Sequence, residues 1–449
     1  MLPLLMLLCG CVPATHGDLP SRTAFATEEL PPMKAFAAIA PPPQRMVNAH
    51  LIEDFLELSF YLESGRPVST FTRFEGPISL RVSGRPSSTL ERDLDGLLSR
   101  LEAEAGITIT RTDSPRANIT IDAVSRRDIQ RVLPNAACFV VPNATSLSDF
   151  RSKRRNPKTN WATLKERRQL VIVLPNDVSP QEVRDCLHEE LAQALGPLND
   201  LYRLPNSVFN DDNVHTVLTD FDMLILRATY APELATGMSQ AEVARRLPAI
   251  FTRENPKGAL KAHARKTATP RAYVDAIQMA LGPGADVPQR QEAALRAVEI
   301  AAAEGWVDAR RGFAYYALGR VLQSTNPDAA LEAFLRADRY YARSSATRLH
   351  RAYVAAQLGA HALVAGDTQN ARARVTPMIE PAKRAQNAAL LATLQLVRAE
   401  TLRADGRLKE AQALRLDSLG WARYGFGSDG AVEAKQREIA NLNRPEPPV

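Results

Sequence analysis

The sequence predicts an α/β domain followed by an all-α domain of helical hairpins. Three observations predict it. Helices alternate with short β-branched strands over residues 46–260, the pattern of a layered α/β domain. From about residue 270 strand-like runs give way to alanine-rich amphipathic helices. The chain has 449 residues, more than one hydrophobic core usually holds. The expected organisation is a leader over 1–11, a proline-rich tether over 12–45, the α/β domain over 46–260 and the helical domain over 270–449.

The chain opens MLPLLMLLCGC, an apolar run ending in Leu8, Cys9, Gly10 and Cys11. This ending resembles a bacterial lipobox, which implies cleavage before Cys11 and a lipid on its thiol. The valine that follows, by the same resemblance, points to the periplasmic face of the outer membrane. A plain secretory signal and an accidental apolar start are the alternatives. LPP and PPP runs then mark a tether.

In the α/β region, LIEDFLELSFYLE sets Leu51, Ile52, Phe55, Leu58 and Leu62 on one helical face, and Gly65 and Pro67 stop it. ISLRVSG alternates Ile78, Leu80 and Val82 as a strand. TLERDLDGLLSRLEAEAG is a helix closed by Gly106, and ITITRT, NITIDAV, CFVVP and QLVIVLP are further strands. Strand order does not follow from the sequence. After QLVIVLP, Ser179 is an N-cap, Pro180 the first helical residue and Glu182 the partner that completes a capping box, with Gly196 and Pro197 at the end. Thr219 with Asp222 and Ser239 with Glu242 start two more helices in the same way.

In the C-terminal half, three segments repeat: LGRVLQSTNPDAALEAFLRAD, LGAHALVAGDTQNARARV and VRAETLRADGRLKEAQALRLD. Gly319, Gly359 and Ala399 are 40 residues apart, and Ala330, Ala371 and Ala411 begin the partner helices. The pattern resembles a tetratricopeptide-like array, with Phe334 and Ala337 at its later packing positions and Asp367 and Asp405 in its turn. Such hairpins stack, and their concave face commonly receives protein partners. A helical cap with a purely structural role is the alternative.

The net charge of +6 is mild. Arg151, Lys153, Arg154, Arg155, Lys158, Lys165, Arg167 and Arg168 read as a solvated basic loop, with contact to an anionic surface or polymer as the alternative. Without a recognisable reading module they do not predict a nucleic-acid partner. No nucleophile elbow, phosphate-binding loop or dinucleotide fingerprint occurs. With Cys9 and Cys11 assigned to the leader, Cys138 and Cys186 remain, either paired, as an exported compartment permits, or as separate buried thiols.

The stretch CLHEELAQALGPLND carries the candidate chemistry. His188 and Glu189 suggest an HExxH zinc motif, but the second histidine position is Ala192. Shifted by one, the stretch resembles the metzincin motif HExxHxxGxxH. Glu189 then stands at the first histidine, Glu190 at the general base, Gln193 at the second histidine, Gly196 at the glycine and Asn199 at the third ligand. NSVF resembles the Met-turn with Phe209 in the methionine's place, and Thr219, Asp222 and Tyr230 fit the following helix. The region also looks like the uncharacterised DUF2927 domain family of alphaproteobacterial exported proteins, with the same EExxQxLG pattern. The resemblance implies a degenerate metzincin-like fold.

Glutamine and asparagine are weak zinc ligands. On the helical wheel Glu190 falls within the apolar arc of Val183, Cys186, Leu187, Leu191 and Ala194, so its carboxyl must be hydrogen-bonded, neutral or in a cleft. Three accounts fit Glu189, Glu190, Gln193, Asn199 and Asp200: a polar network, a calcium or magnesium site, or retained hydrolysis that recruits His188 or His215. His188 by itself reads as a helix-surface or packed histidine, and Asp211 and Asp212 as solvated loop residues, with lining of the cleft as their alternative. The expectation is an exported, lipid-anchored envelope protein with a non-catalytic metzincin-like domain and protein-binding repeats. Its partner would be a polypeptide or a cell-envelope component, with the membrane reached through the lipid. No cofactor is expected, with zinc or calcium left open. The alternative is a divergent metal-dependent peptidase with Glu190 as general base.

Overall fold

The computed structural model describes residues 30–37, 46–260 and 267–442, so the leader and Cys11 lie outside the described residues. The α/β unit begins with α1 (Asn48–Phe60), β1 (Ile78–Gly84), α2 (Ser88–Ala105), β2 (Ile109–Arg111), β3 (Ile119–Val124) and α3 (Arg126–Val132). It continues with β4 (Phe139–Pro142), α4 (Leu147–Lys153), β5 (Leu170–Pro175), α5 (Pro180–Leu195), α6 (Asp220–Thr229) and α7 (Gln240–Glu254). The five strands form one sheet in the order β2-β1-β3-β5-β4, and all neighbours are parallel except β4 with β5. β3 and β5 are buried on both faces, which is why they read as unbroken apolar runs.

Alternation along β5 divides the core. Leu170, Ile172 and Leu174 join Leu94 of α2, Leu187 and Leu191 of α5 and Leu226 of α6 in the main cluster. Val171 and Val173 point the other way, to Ile129 of α3 and Phe150 of α4. The main cluster extends from Leu51 to Phe251, so α7 closes the unit against α1.

The helical half contains α8 (Arg271–Leu281), α9 (Val287–Ala303), α10 (Ala309–Leu322), α11 (Pro327–Tyr341), α12 (Arg348–Val364) and α13 (Thr368–Val375). After these come α14 (Ile379–Arg384), α15 (Ala388–Ala404), α16 (Leu408–Phe426) and α17 (Asp429–Asn441). Expected hairpins appear as α10–α11, α12–α13 and α15–α16, and α8–α9 adds one that the repeat alignment did not include. At Gly319 a Cβ would stand 2.6 Å from the ring of Phe334, so glycine there lets α10 and α11 approach closely. Pro377 and Pro381 break the partner of α12 into α13, a short 3-10 turn and α14.

The helical half folds back over α5. Gln181 donates to Asn387 Oδ1 at 3.2 Å and accepts from the Ala389 amide at 2.9 Å, while Arg184 donates to the Gln386 carbonyl and lies over the Tyr424 ring. Residues 30–37, expected as tether, dock on α16. The Lys34 amide donates to Gly420 O at 2.9 Å, and Phe36 stacks on Trp421 with ring centroids 4.4 Å apart. Among the described residues no helix is long and apolar enough to cross a membrane.

Candidate functional site

α5 is held on every side. Ser179 caps it through the Glu182 amide, but the expected reciprocal bond is absent, because the Glu182 carboxylate pairs with Arg126 of α3 instead. Cys138 and Cys186 are joined, tying α5 to the start of β4. At its C-terminus Arg167 donates to the carbonyls of Gln193 at 2.6 Å, Ala194 at 2.7 Å and Gly196 at 2.5 Å. These are the oxygens that a helix end leaves without internal partners. Arg167 is therefore buried, against the expectation of a wholly solvated basic loop, and stacks over Trp161. Tyr230 donates to Leu195 O at 3.1 Å, and a Cβ at Gly196 would crowd Thr229 at 3.0 Å, which fixes α6 against the same end.

His188 is packed inside, where its Nδ1 accepts from the Leu218 amide at 3.1 Å. Burial, then Arg100 and Arg184, hold its pKa well below the usual histidine range, so the ring is neutral. Asn199 is engaged at both ends of its amide, its Nδ2 donating to Glu57 O at 3.1 Å and its Oδ1 accepting from the Asp200 amide at 3.0 Å. Phe209 is wholly enclosed in the main core, beneath the turn in which Ser207 and Val208 bind Asp222. The Thr219–Asp222 capping box forms as expected, and burial raises the Asp222 carboxyl to about 6.

Glu190 is 5% exposed, and its Oε2 has no hydrogen-bond partner. Desolvation by burial, followed by the charges of Glu63 and Asp200, holds its pKa well above the usual carboxyl range. The same cause raises Glu189, with Glu190 and Glu63 adding to it, and Asp200, with Glu63 and Glu189 adding to it. Glu63 stands at the exposed rim, and desolvation followed by the charge of Asp211 raises it too, against a lowering influence of Asp200 and Gln193. Asp211 completes the group. It accepts from the Tyr202 hydroxyl at 2.9 Å and from Gln278 of α8 at 3.4 Å, and burial raises its pKa.

Two clefts border this carboxyl cluster. One, of about 610 Å³, has Glu63, Asn199 and Asp200 on its wall and reaches Arg271 of α8. The other, of about 640 Å³, runs from Asp211 and Asp212 to Phe313, Tyr316 and Arg320 of α10. Tyr202 lines both. Glu190 lines neither.

Asp211 and Asp212 are thus not the solvated pair expected from sequence. Asp212 meets Nε2 of His350, on α12, at 2.8 Å, with the two side chains 4% and 1% exposed. His215 donates through Nε2 to Pro205 O at 3.0 Å, faces the His350 ring, and is lowered by burial to about 4. Both histidines offered for recruitment are therefore neutral and held by main-chain atoms.

The donor set does not fit zinc. The two amides at ligand positions are weak donors, the Asn199 oxygen already accepts from the Asp200 amide, and among the described residues no three His, Cys, Asp or Glu side chains are placed to hold a metal ion. Of the cluster, sequence reading missed Glu63, which lies between the end of α1 and Gly65 and carries no local signal, and misjudged Asp211.

Comparison with curated proteins gives no match, and comparison with solved structures gives none either. A family model does match. It covers residues 48–249, which hold all of the sheet and α5. Over those residues the chain matches the model of the family described as protein of unknown function (DUF2927).

Proposed function

We propose that this chain is a non-catalytic protein of the cell envelope, exported and held there by a lipid on Cys11, that binds a polypeptide partner in the clefts between its α/β unit and its helical half. One observation carries the reading. Glu190, which stands at the general-base position of the metzincin-like frame, is enclosed and lines neither cleft, while open volume of about 610 and 640 Å³ lies beside it at the domain junction. A general base must come within hydrogen-bond reach of the proton it takes, directly or through one water. α5 is instead built as a buried strut, and we read it as a relic of a zinc helix.

Further support comes from the Cys138–Cys186 disulfide, which suits an oxidising compartment, and from residues 30–37, an extended segment already seated on the helical half. Clefts of this size at a domain junction are common ligand sites.

The test starts with peptides selected by display on the mature chain and measured by fluorescence anisotropy. Arg320→Glu and Gln278→Lys alter exposed cleft residues, and each should weaken a selected peptide at least about tenfold, or about 1.4 kcal/mol. Peptides that bind both variants as tightly as the parent would place the site elsewhere and overturn the reading.

A further inference from the structure

We infer that the surface of α16 on which residues 30–37 lie is a peptide-recognition groove masked by the chain's own segment, and that it accepts from a polypeptide partner an extended stretch with a basic residue two positions before an aromatic one. The groove is separate from the two clefts, because Asp417, Gly420 and Trp421 line neither of them. It stands whether or not a partner enters those clefts.

The seated stretch reads LPPMKAFA. Pro31 and Pro32 pre-set an extended backbone, so less conformational freedom is lost when the stretch is laid on a helix. The Lys34 amide donates to Gly420 O at 2.9 Å, and Arg423 Nη1 donates to Pro31 O at 3.1 Å. Both bonds engage the main chain of the stretch, and its side chains supply the selection. Lys34 pairs with Asp417, whose other oxygen accepts from Gln395 Nε2 at 2.7 Å, and Lys34 Nζ lies 5.6 Å from the centre of the Trp421 ring. Phe36 stacks on Trp421, and the Arg184 guanidinium of α5 lies 5.6 Å from the centre of the Phe36 ring. Leu30 packs on the cluster of Leu419, Ala422 and Val432.

The helix is shaped for a close-lying backbone. A Cβ at position 420 would stand 3.0 Å from Lys34 Cγ and 3.1 Å from Pro32 O, so the glycine serves the contact although glycine inside a helix weakens it. Every contact of the stretch comes from contiguous residues, and none requires that they be joined to the rest of the chain. Met33 remains 37% exposed and the Lys34 side chain 40%, so the stretch can leave without opening the core. A segment of another polypeptide with the same chemistry can then make the same contacts. The resident stretch competes with it at an effective concentration on the order of millimolar, which is what makes the groove masked.

The experiment follows fluorescein-labelled LPPMKAFA by anisotropy on the mature chain and on its Lys34→Glu/Phe36→Ala variant, which weakens the resident stretch and leaves the groove intact. The variant should bind the probe at least about tenfold more tightly than the parent, because its own stretch competes less. Probes that carry Lys34→Glu or Phe36→Ala should each bind it at least about tenfold more weakly. Gly420→Leu, added to the variant, fills the contact while favouring the helix, and should abolish binding with an unchanged circular dichroism spectrum. Random peptides displayed on the variant and eluted with unlabelled LPPMKAFA should carry a basic residue two positions before an aromatic one. Elution by that sequence separates them from cleft peptides, which depend on Arg320 and Gln278. Equal binding of the probe by parent and variant, altered probes that bind as tightly, binding that survives Gly420→Leu, or an eluted pool without the pattern would each overturn the groove. A dimer of the parent, seen by analytical ultracentrifugation and lost with Gly420→Leu, would mean that the stretch is exchanged between copies, and would overturn it as well.

Discussion

The hydroxyl of Tyr202 donates to Asp211 Oδ2 at 2.9 Å, and its ring packs edge-on to Tyr273 at 5.7 Å. Tyr202 follows α5 in the α/β unit, yet it belongs to the apolar cluster of α8 to α12. It therefore joins the two halves of the chain and separates the two clefts. Tyr202→Phe keeps the packing and loses one hydrogen bond, at a cost of about 1 kcal/mol. Tyr202→Ala removes the ring as well and should cost about 3 to 5 kcal/mol, measured by urea denaturation.

Arg167 satisfies three carbonyls at the end of α5 from a buried position. Arg167→Met leaves those oxygens without donors and should destabilise the fold by at least about 3 kcal/mol. Arg167→Lys should recover little, since an ammonium cannot fan across three acceptors as a guanidinium does. Thermal midpoints of the three proteins check both statements.

The Cys138–Cys186 bridge closes a loop of sequence separation 48. On the chain-entropy model its loss should cost roughly 3 to 4 kcal/mol. Urea midpoints with and without reductant, and of Cys138→Ser/Cys186→Ser, should shift together. A reductant effect that persists in the double variant would mean that the stabilisation comes from elsewhere.

Stability should fall as pH rises from about 6.5 to 8. Burial raises Glu189, Glu190 and Asp200 well above their ordinary range and Asp185 to about 8, so the folded chain binds more protons than the unfolded chain, and raising the pH favours unfolding. His188 and His215 are lowered, which acts in the opposite sense, but only below the ordinary histidine pKa of about 6.5. Glu190→Gln removes one raised carboxyl. It should stabilise the fold at pH 8 by on the order of 1 kcal/mol and change it little at pH 5. Thermal midpoints across this range, for parent and variant, check the slope and its source.

Much of the fold is legible in local sequence, because caps and periodicity act over a few residues. Ser239 with Glu242, Thr219 with Asp222, and the β-branched runs of β3 and β5 each declare their own element. The burial of Glu190 is legible too, since the helical wheel sets it among Val183, Leu187 and Leu191. What local sequence does not carry is which distant segment covers a surface. Glu182 reads as a capping partner until Arg126 is seen beside it. Asp212 reads as a solvated loop residue until His350, 138 positions later, is packed on it. Arg167 looks like one of several exposed cations, and only the fold brings the end of α5 to it.

The most direct test of the central claim is turnover. The mature chain and Glu190→Gln would be incubated with a quenched-fluorescent peptide library, with zinc or calcium added, and metal content would be measured on the same preparations. Neither protein should give chain-dependent cleavage, and both should have the same metal content. Cleavage that the parent shows and Glu190→Gln loses, accompanied by a bound metal that falls with it, would contradict the account and establish a hydrolase.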